Sequence, residues 1–138
     1  MENLFAYGTL MCDDIMAEVA GECMSAVPAT LRGYRRLRVK DAHYPALVPD
    51  AESRVEGVVY CDVSESAWAR LDRFEGEMYS RESVQVELAD GSAVAAATYV
   101  VHGDFTSCLD ETEWDFAAFL DSDKESFCKS YEGYRALI

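Results

Sequence analysis

Alternating apolar and polar residues run through much of the chain and predict a protein rich in β-strands. In SVQVEL, residues 83–88, every second residue is apolar, which is typical of a strand with one face on a core and the other in solvent. The Asp90-Gly91 pair that follows is a strong signal for a hairpin turn. Strands are predicted at Leu4–Tyr7, at Ala26–Val48 with a bend at Tyr44–Leu47, and at Arg54–Val63, Arg81–Leu88 and Ser92–Val101.

Helix signals lie between and after these strands. In CDDIMAEVAG, residues 12–21, an aspartate lies near the start and Gly21 follows the last helical position, which favours a short helix. In SESAWARLDRFEG, residues 64–76, Ser64 can cap a second helix and Gly76 can end it in a left-handed conformation. A third helix is predicted from Thr112 onwards, because its large apolar residues recur at helical spacing: Phe116, Leu120, Phe127 and Tyr131.

Length and composition indicate one globular domain. A chain of 138 residues, half of them hydrophobic, can bury a core without disulfides or a structural metal. We therefore expect a single domain, residues 1–138, of the α+β class. Its sheet should be small, mixed but mainly antiparallel and curled, with helices packed outside it.

The chain is strongly acidic. It has 12 Lys and Arg against 26 Asp and Glu, which gives a formal charge of −14. Such a charge repels phosphate backbones and anionic membrane surfaces, and the most basic run, Arg32–Lys40, resembles a strand with outward-facing charges. We expect neither nucleic acid nor a membrane as a partner.

Metal and targeting signals are missing from the sequence. Five cysteines without a C-x-x-C pair and two distant histidines indicate neither a disulfide framework nor a zinc site. The N-terminal MENLFAYGTL has no basic region, and no run reaches about 20 apolar residues. These features favour a cytoplasmic protein with reduced thiols and no metal.

Glu75 is an acid in an unfavourable place. It lies at the predicted end of the second helix, where the helix dipole disfavours a carboxylate by about 0.3 to 1 kcal/mol, and its neighbours Phe74, Met78 and Tyr79 are apolar or aromatic. Such surroundings would raise its pKa from the reference value of about 4.3 towards the range of a general base. A solvated surface acid is the alternative, and it is the commoner fate of a lone glutamate.

The segment YGTL, residues Tyr7, Gly8, Thr9 and Leu10, is a second candidate. A tight turn after a strand needs only a glycine, so a plain turn is one interpretation. The other is a loop whose consecutive N–H groups hold a carboxylate or a polarised carbonyl oxygen. The chain has no G-x-S-x-G, Walker, G-x-G-x-x-G or H-E-x-x-H motif, and a lone histidine beside a proline bend, such as His43, is more often structural or exposed.

An ordered set of segments carries a resemblance to a known family. The segments are LFAYGTL, GYRRLRVKDAHYPALVPD, VEGVVYCDV, LDRFEGEMYSRESVQVEL, and ATYV followed by a Trp-containing terminal helix. From about Leu4 to Tyr134 they resemble the γ-glutamylcyclotransferase-like superfamily, in particular the AIG2-like branch that includes γ-glutamylamine cyclotransferase. The resemblance implies a small β-barrel-like sheet flanked by helices, with a cavity that carries one essential glutamate.

The resemblance also implies roles for individual residues. The essential glutamate of the family lies in an LDxFEG motif, which matches Glu75 here. The Y-G-[ST]-L loop of the family holds the γ-glutamyl group through backbone N–H groups, and it matches Tyr7–Leu10. Two further tyrosines of the family match Tyr79 and Tyr99, although tyrosines in such positions commonly serve packing.

The implied reaction releases 5-oxoproline and a free amine from a small γ-glutamyl substrate, and it needs no metal or organic cofactor. The leaving group stays open between an α-amino acid, the ε-amine of lysine, a polyamine and an amine in a biosynthetic intermediate. One alternative is a non-catalytic protein that binds a small ligand on the same fold. Another is an interaction protein whose aromatic terminal helix binds a partner.

Overall fold

Five strands of the protein close into a small barrel. The computed structural model describes residues 2–21, 25–39, 45–75, 79–101, 109–114 and 116–123, with the main chain alone at some positions, Thr9 and Glu75 among them. The strands are β1 (Glu2–Ala6), β2 (Ala26–Val39), β3 (Pro45–Val63), β4 (Tyr79–Leu88), β5 (Ala93–Val101) and β6 (Leu109–Glu113). Their order in the sheet is β3-β1-β5-β4-β2-β6, and a further β2–β3 pairing closes the first five into a ring.

The barrel is mixed but mainly antiparallel, as expected. Only the pairing of β1 with β5, through Leu4 and Ala97, is parallel among the described pairs. Because β1 and β5 run in the same direction, the chain leaves both strands at the same end of the barrel. The candidate residues of the sequence analysis lie around this end.

Alternate residues of the strands supply two main cores, and Val39 with Ala46 forms a third, smaller cluster. The inner core receives side chains from all five barrel strands, for example Phe5, Leu31, Val59, Val86 and Ala96. The outer core lies on the other face of β1, β3 and β5, where the helices pack. This arrangement follows from the period of two along a strand.

Two helices cover the outer face. They are α1 (Asp13–Ala20), which follows a 3-10 turn at Thr9–Met11, and α2 (Glu65–Glu75). Gly21 ends α1 with φ 81° and donates its N–H to Ala17. Ser64 caps α2, because its hydroxyl accepts the N–H of Ala67 at 3.2 Å. Both cap predictions are thereby confirmed.

The Asp90-Gly91 hairpin prediction is also confirmed. The Leu88 N–H donates to the Ser92 carbonyl at 2.8 Å, and Gly91 adopts φ 88°. From Ser83 to Leu88 on β4 the exposed residues alternate with buried or half-buried ones, as the pattern indicated. The predicted bend at 44–47 starts outside the described residues, and β3 begins at Pro45.

The C-terminal prediction needs correction. Thr112 and Glu113, which were expected to begin a helix, belong to β6, which pairs with β2. Helical structure follows as α3 (Phe116–Ala118) and one π turn (Phe119–Asp123). There Phe119 is buried and Leu120 is exposed, so Leu120 does not belong to the apolar face. Phe127 and Tyr131 lie outside the described residues.

Two smaller findings concern thiols and membranes. Cys12 is buried and Cys61 is exposed, and both are free thiols. Across the described ranges, no helix has the length and apolar character needed to cross a membrane.

Candidate active site

The last turn of α2 places Glu75 at one end of the barrel. Trp68 and Leu71 bury the apolar face of this helix in the outer core, and Glu75 is its final residue. Glu75 is therefore the C-terminal residue of a helix, as the sequence analysis predicted. Gly76, which was predicted to stop the helix, lies outside the described residues.

The loop from Tyr7 to Leu10 follows β1 directly. The Gly8 carbonyl accepts the Met11 N–H at 2.9 Å, and the Leu10 carbonyl accepts the hydroxyl of the buried Tyr60 at 2.7 Å. A Cβ atom on Gly8 would lie 2.8 Å from two ring carbons of Pro45. The loop is thus held from several sides, and Gly8 is needed because Pro45 lies so close.

Tyr99 connects this loop to α2. The Tyr7 hydroxyl donates to the Tyr99 carbonyl at 2.6 Å, and the Tyr99 hydroxyl donates to Asp72 Oδ1, also at 2.6 Å. Asp72 precedes Glu75 by three residues, so both lie on one face of α2. Two consecutive contacts therefore bring the predicted loop and the face of α2 that includes Glu75 to the same end of the barrel.

Tyr79 provides a second connection. It is the first residue of β4, shortly after the end of α2, and its hydroxyl donates to the Pro45 carbonyl at 2.7 Å. The ring of Pro45 in turn lies against Gly8. Tyr79 and Tyr99 both donate their hydroxyls to protein acceptors here, which favours a role in holding the site together.

Asp72 and Trp68 were not selected as site residues by the sequence analysis, and both contact Arg81. Arg81 Nη1 lies 3.5 Å from Asp72 Oδ2, with side chains 35% and 47% exposed, and its guanidinium lies 4.5 Å from the centre of the Trp68 ring. Asp72 therefore receives a hydroxyl on one oxygen and a cation on the other. The available signal was the spacing of Asp72 and Glu75 by three residues in LDRFEG.

Arg36 is a further residue with an unexpected position. The sequence analysis placed the charges of Arg32–Lys40 outwards, and this is wrong for Arg36, whose Nη1 donates to the Tyr7 carbonyl at 2.7 Å. The inward orientation is stabilised because a guanidinium can satisfy several acceptors at once.

The described residues contain no candidate metal site, and a groove lies away from the predicted site residues. Among them no group of three His, Cys, Asp or Glu could hold a metal ion, and both histidines lie outside the described ranges. A groove of about 360 Å³ runs between β2, β3 and the end of β4, and it contains none of the predicted site residues.

Solved structures with the same architecture define the class of fold. A solution structure of an Arabidopsis thaliana protein aligns with a TM-score of 0.74 and 28% identity, covering 96% of this chain and 80% of the other. A structure named gamma-glutamyl cyclotransferase aligns with a TM-score of 0.64 and 16% identity, covering 99% and 85%. The barrel therefore has the γ-glutamylcyclotransferase-like fold.

Sequence comparison then identifies the family. AIG2-like protein D from Arabidopsis thaliana is 34% identical over 131 residues, which are 94% of this chain and 86% of the relative. The family model named "Gamma-glutamyl cyclotransferase, AIG2-like" matches residues 4–116, and the chain belongs to this family. The resemblance found in the sequence is confirmed.

Proposed function

We propose that this protein is a γ-glutamyl cyclotransferase that converts a γ-glutamyl amine or γ-glutamyl amino acid into 5-oxoproline and the free amine. The observation that carries the proposal is the pair of 2.6 Å hydrogen bonds from Tyr7 to Tyr99 and from Tyr99 to Asp72. They connect the loop predicted to hold the substrate, through Tyr99, to the last turn of the helix that ends with the predicted acid. Membership of the AIG2-like family supports the reaction class.

The reaction needs little more than positioning and proton transfer. The α-nitrogen of the γ-glutamyl group attacks its own γ-carbonyl carbon, the five-membered lactam C–N bond forms, and the original amide C–N bond breaks. The α-ammonium loses two protons overall, and the departing nitrogen gains two. One carboxylate that accepts a proton and returns it can therefore serve both halves of the reaction.

Glu75 is the residue to which we assign this proton transfer. It is the glutamate of the LDxFEG motif, and it ends α2 at the barrel end where the loop lies. The N–H groups of Gly8, Thr9 and Leu10 are assigned to the γ-glutamyl group, because a rigid set of main-chain donors orients a substrate without rearranging. The main-chain donors thus bind and orient the substrate, and the acid transfers the proton.

The test is a panel of γ-glutamyl compounds with chromatographic detection of 5-oxoproline. Glu75→Gln should lower turnover by about 100-fold or more while the circular dichroism spectrum stays unchanged, because the amide keeps the shape and loses the base. Glu65→Gln is the matched control, since it makes the same change in the exposed first turn of the same helix. Near-normal turnover in Glu75→Gln would contradict the assignment, and ligand binding without any product would favour the non-catalytic alternative.

A further inference from the structure

Arg36 is a half-buried cation whose side chain donates hydrogen bonds to main-chain carbonyls. It lies on β2, and its Nη1 donates to the carbonyl of Tyr7 at 2.7 Å and to the carbonyl of Glu56 at 3.3 Å. Charge-assisted hydrogen bonds of this kind are roughly twice as strong as neutral ones. The Arg36 side chain therefore holds the main chain at Tyr7, where β1 passes into the predicted substrate loop.

The guanidinium of Arg36 also lies against an aromatic ring. It lies 5.2 Å from the centre of the Trp114 ring, and the Trp114 N–H donates to the Arg36 carbonyl at 3.3 Å. Met11 Sδ lies 3.9 Å from Nη1. With contacts to the segment after β1, to β3 and to Trp114 after β6, Arg36 has a defined position from which to orient its acceptors.

The contact at the Tyr7 carbonyl also fixes the direction of the Gly8 N–H, because both groups belong to the same peptide bond. Among the described residues every peptide bond is trans, and in a planar trans peptide the C=O and N–H bonds point in opposite directions. Since the Tyr7 carbonyl points at Arg36, the Gly8 N–H of the same peptide points away from Arg36. A cation at the carbonyl oxygen also polarises the peptide and strengthens its N–H as a donor.

Gly8 cannot easily take another position. Its own carbonyl accepts the Met11 N–H at 2.9 Å, and Pro45 leaves no room for a Cβ atom. In the hydrogen bonds described for this loop, the Gly8 N–H is not used as a donor. Its direction is thus set by the peptide that Arg36 orients.

We infer that Arg36 is a positioning residue, which orients and polarises the Tyr7–Gly8 peptide so that the Gly8 N–H binds the γ-glutamyl group. This inference rests on the proposed function. Arg36 acts through the peptide and not by contact with the substrate, so its loss should weaken substrate binding and leave the proton transfer by Glu75 nearly intact.

The experiment compares Arg36→Met, Arg36→Lys and the control Arg38→Met, which removes an exposed arginine two residues further along the same strand. In Arg36→Met we expect KM to rise by about 3- to 10-fold, the range of one lost hydrogen bond, with kcat changed by less than about 3-fold. Arg36→Lys should recover part of this loss, because an ammonium can still donate to the Tyr7 carbonyl. Arg38→Met should behave like the wild type.

A second readout separates positioning from general stability. In a ¹H–¹⁵N correlation spectrum of the free protein, the Gly8 amide proton should move upfield in Arg36→Met, less in Arg36→Lys, and not in Arg38→Met. A folded Arg36→Met protein with an unchanged Gly8 resonance or an unchanged KM would overturn the inference. If Arg36→Met does not fold, Arg36→Lys must show both effects in weaker form.

The two proposals can fail separately. A wild-type protein that releases no 5-oxoproline from any γ-glutamyl compound overturns the proposed function. In that case the Gly8 resonance alone tests whether Arg36 orients the Tyr7–Gly8 peptide. An active wild type whose Arg36→Met variant keeps the same KM overturns only the inference.

Discussion

The hydroxyl of Tyr99 donates a 2.6 Å hydrogen bond to the carboxylate of Asp72, one helical turn before Glu75. The other oxygen of Asp72 lies 3.5 Å from Arg81. One contact therefore fixes the end of α2 to β5, and the other fixes it to β4. We regard Asp72 as the residue that ties the face of α2 carrying Glu75 to the barrel.

Tyr99 and Asp72 should show a measurable coupling energy. Tyr99→Phe removes the donor, Asp72→Ala removes the acceptor, and the double variant should be less destabilised than the sum by about 0.5 to 1.5 kcal/mol. Urea unfolding of the four proteins measures this difference. Fully additive effects would mean that the hydrogen bond contributes nothing to stability in solution.

The same pair should influence turnover. Without the Tyr99 hydroxyl the last turn of α2 is held less firmly, and small displacements of a catalytic group can cost a large part of the rate. We expect kcat for 5-oxoproline release to fall by about 3- to 10-fold in Tyr99→Phe, with KM little changed. A normal kcat would show that Glu75 does not depend on this contact.

Gly8 and Pro45 provide a test of loop position. Gly8 is not among the glycines with positive φ, so alanine meets no backbone strain there, but its Cβ would lie 2.8 Å from Pro45 Cγ and Cδ. Gly8→Ala should therefore displace the loop and lower kcat/KM by about 10-fold or more. Assays of 5-oxoproline release measure the loss.

Pro45→Ala offers a suppressor of that defect. It removes the ring carbons that the new methyl group would meet, and it keeps the main-chain carbonyl that accepts the Tyr79 hydroxyl. The double variant Gly8→Ala with Pro45→Ala should recover much of the activity that Gly8→Ala loses. If it is no better than Gly8→Ala alone, close contact with Pro45 is not the reason for glycine at this position.

The elements predicted well from the sequence are those with local signals. Ser64 caps α2 and Gly91 turns the β4–β5 hairpin because each acts on its own neighbours. The strand β6 was missed because LDETE has no alternating pattern, and its place depends on pairing with the distant β2. Non-local pairing leaves little trace in a short polar segment.

The same distinction between local and non-local signals applies to the candidate site. Glu75 and the loop at Tyr7 could be selected from local chemistry and motif resemblance. For Asp72 the local signal was its spacing from Glu75, and for Arg36 there was none. Their hydrogen-bond partners come from distant parts of the chain: Tyr99 on β5 for Asp72, and Tyr7 after β1 for Arg36. Which charged residue turns inwards is decided by the acceptors that the fold brings to it.

Gly21 and Gly91 form a matched pair for testing a helix contact. Both have positive φ, 81° and 88°, but a Cβ at Gly21 would overlap the guanidinium of Arg70, whereas one at Gly91 meets nothing within 4 Å. Arg70 Nε donates to the carbonyl of Val19 in the last turn of α1 at 3.1 Å.

Alanine at these two positions should separate backbone strain from lost contact. Gly91→Ala should destabilise the protein by about 1 to 2 kcal/mol through strain alone. Gly21→Ala should cost about 1 kcal/mol more, because it also displaces Arg70 from Val19. Thermal or urea unfolding measures both, and equal losses would show that the Arg70 contact is energetically neutral.

The charge of the protein predicts a preference between substrates. The formal charge of −14 attracts cations and slows the approach of anions, and near the candidate site the charge of Arg81 is opposed by Asp72. A γ-glutamyl polyamine should therefore have a higher kcat/KM than an acidic γ-glutamyl peptide such as glutathione. Added salt should narrow the difference in kcat/KM, because at physiological ionic strength screening limits the field to about 8 Å.

Measuring kcat/KM for both substrates over a salt series tests this, with a γ-glutamyl amide of an uncharged amine as the salt-insensitive control. Faster turnover of glutathione at low salt would show that local groups in the pocket, and not the net charge, determine the choice of leaving group.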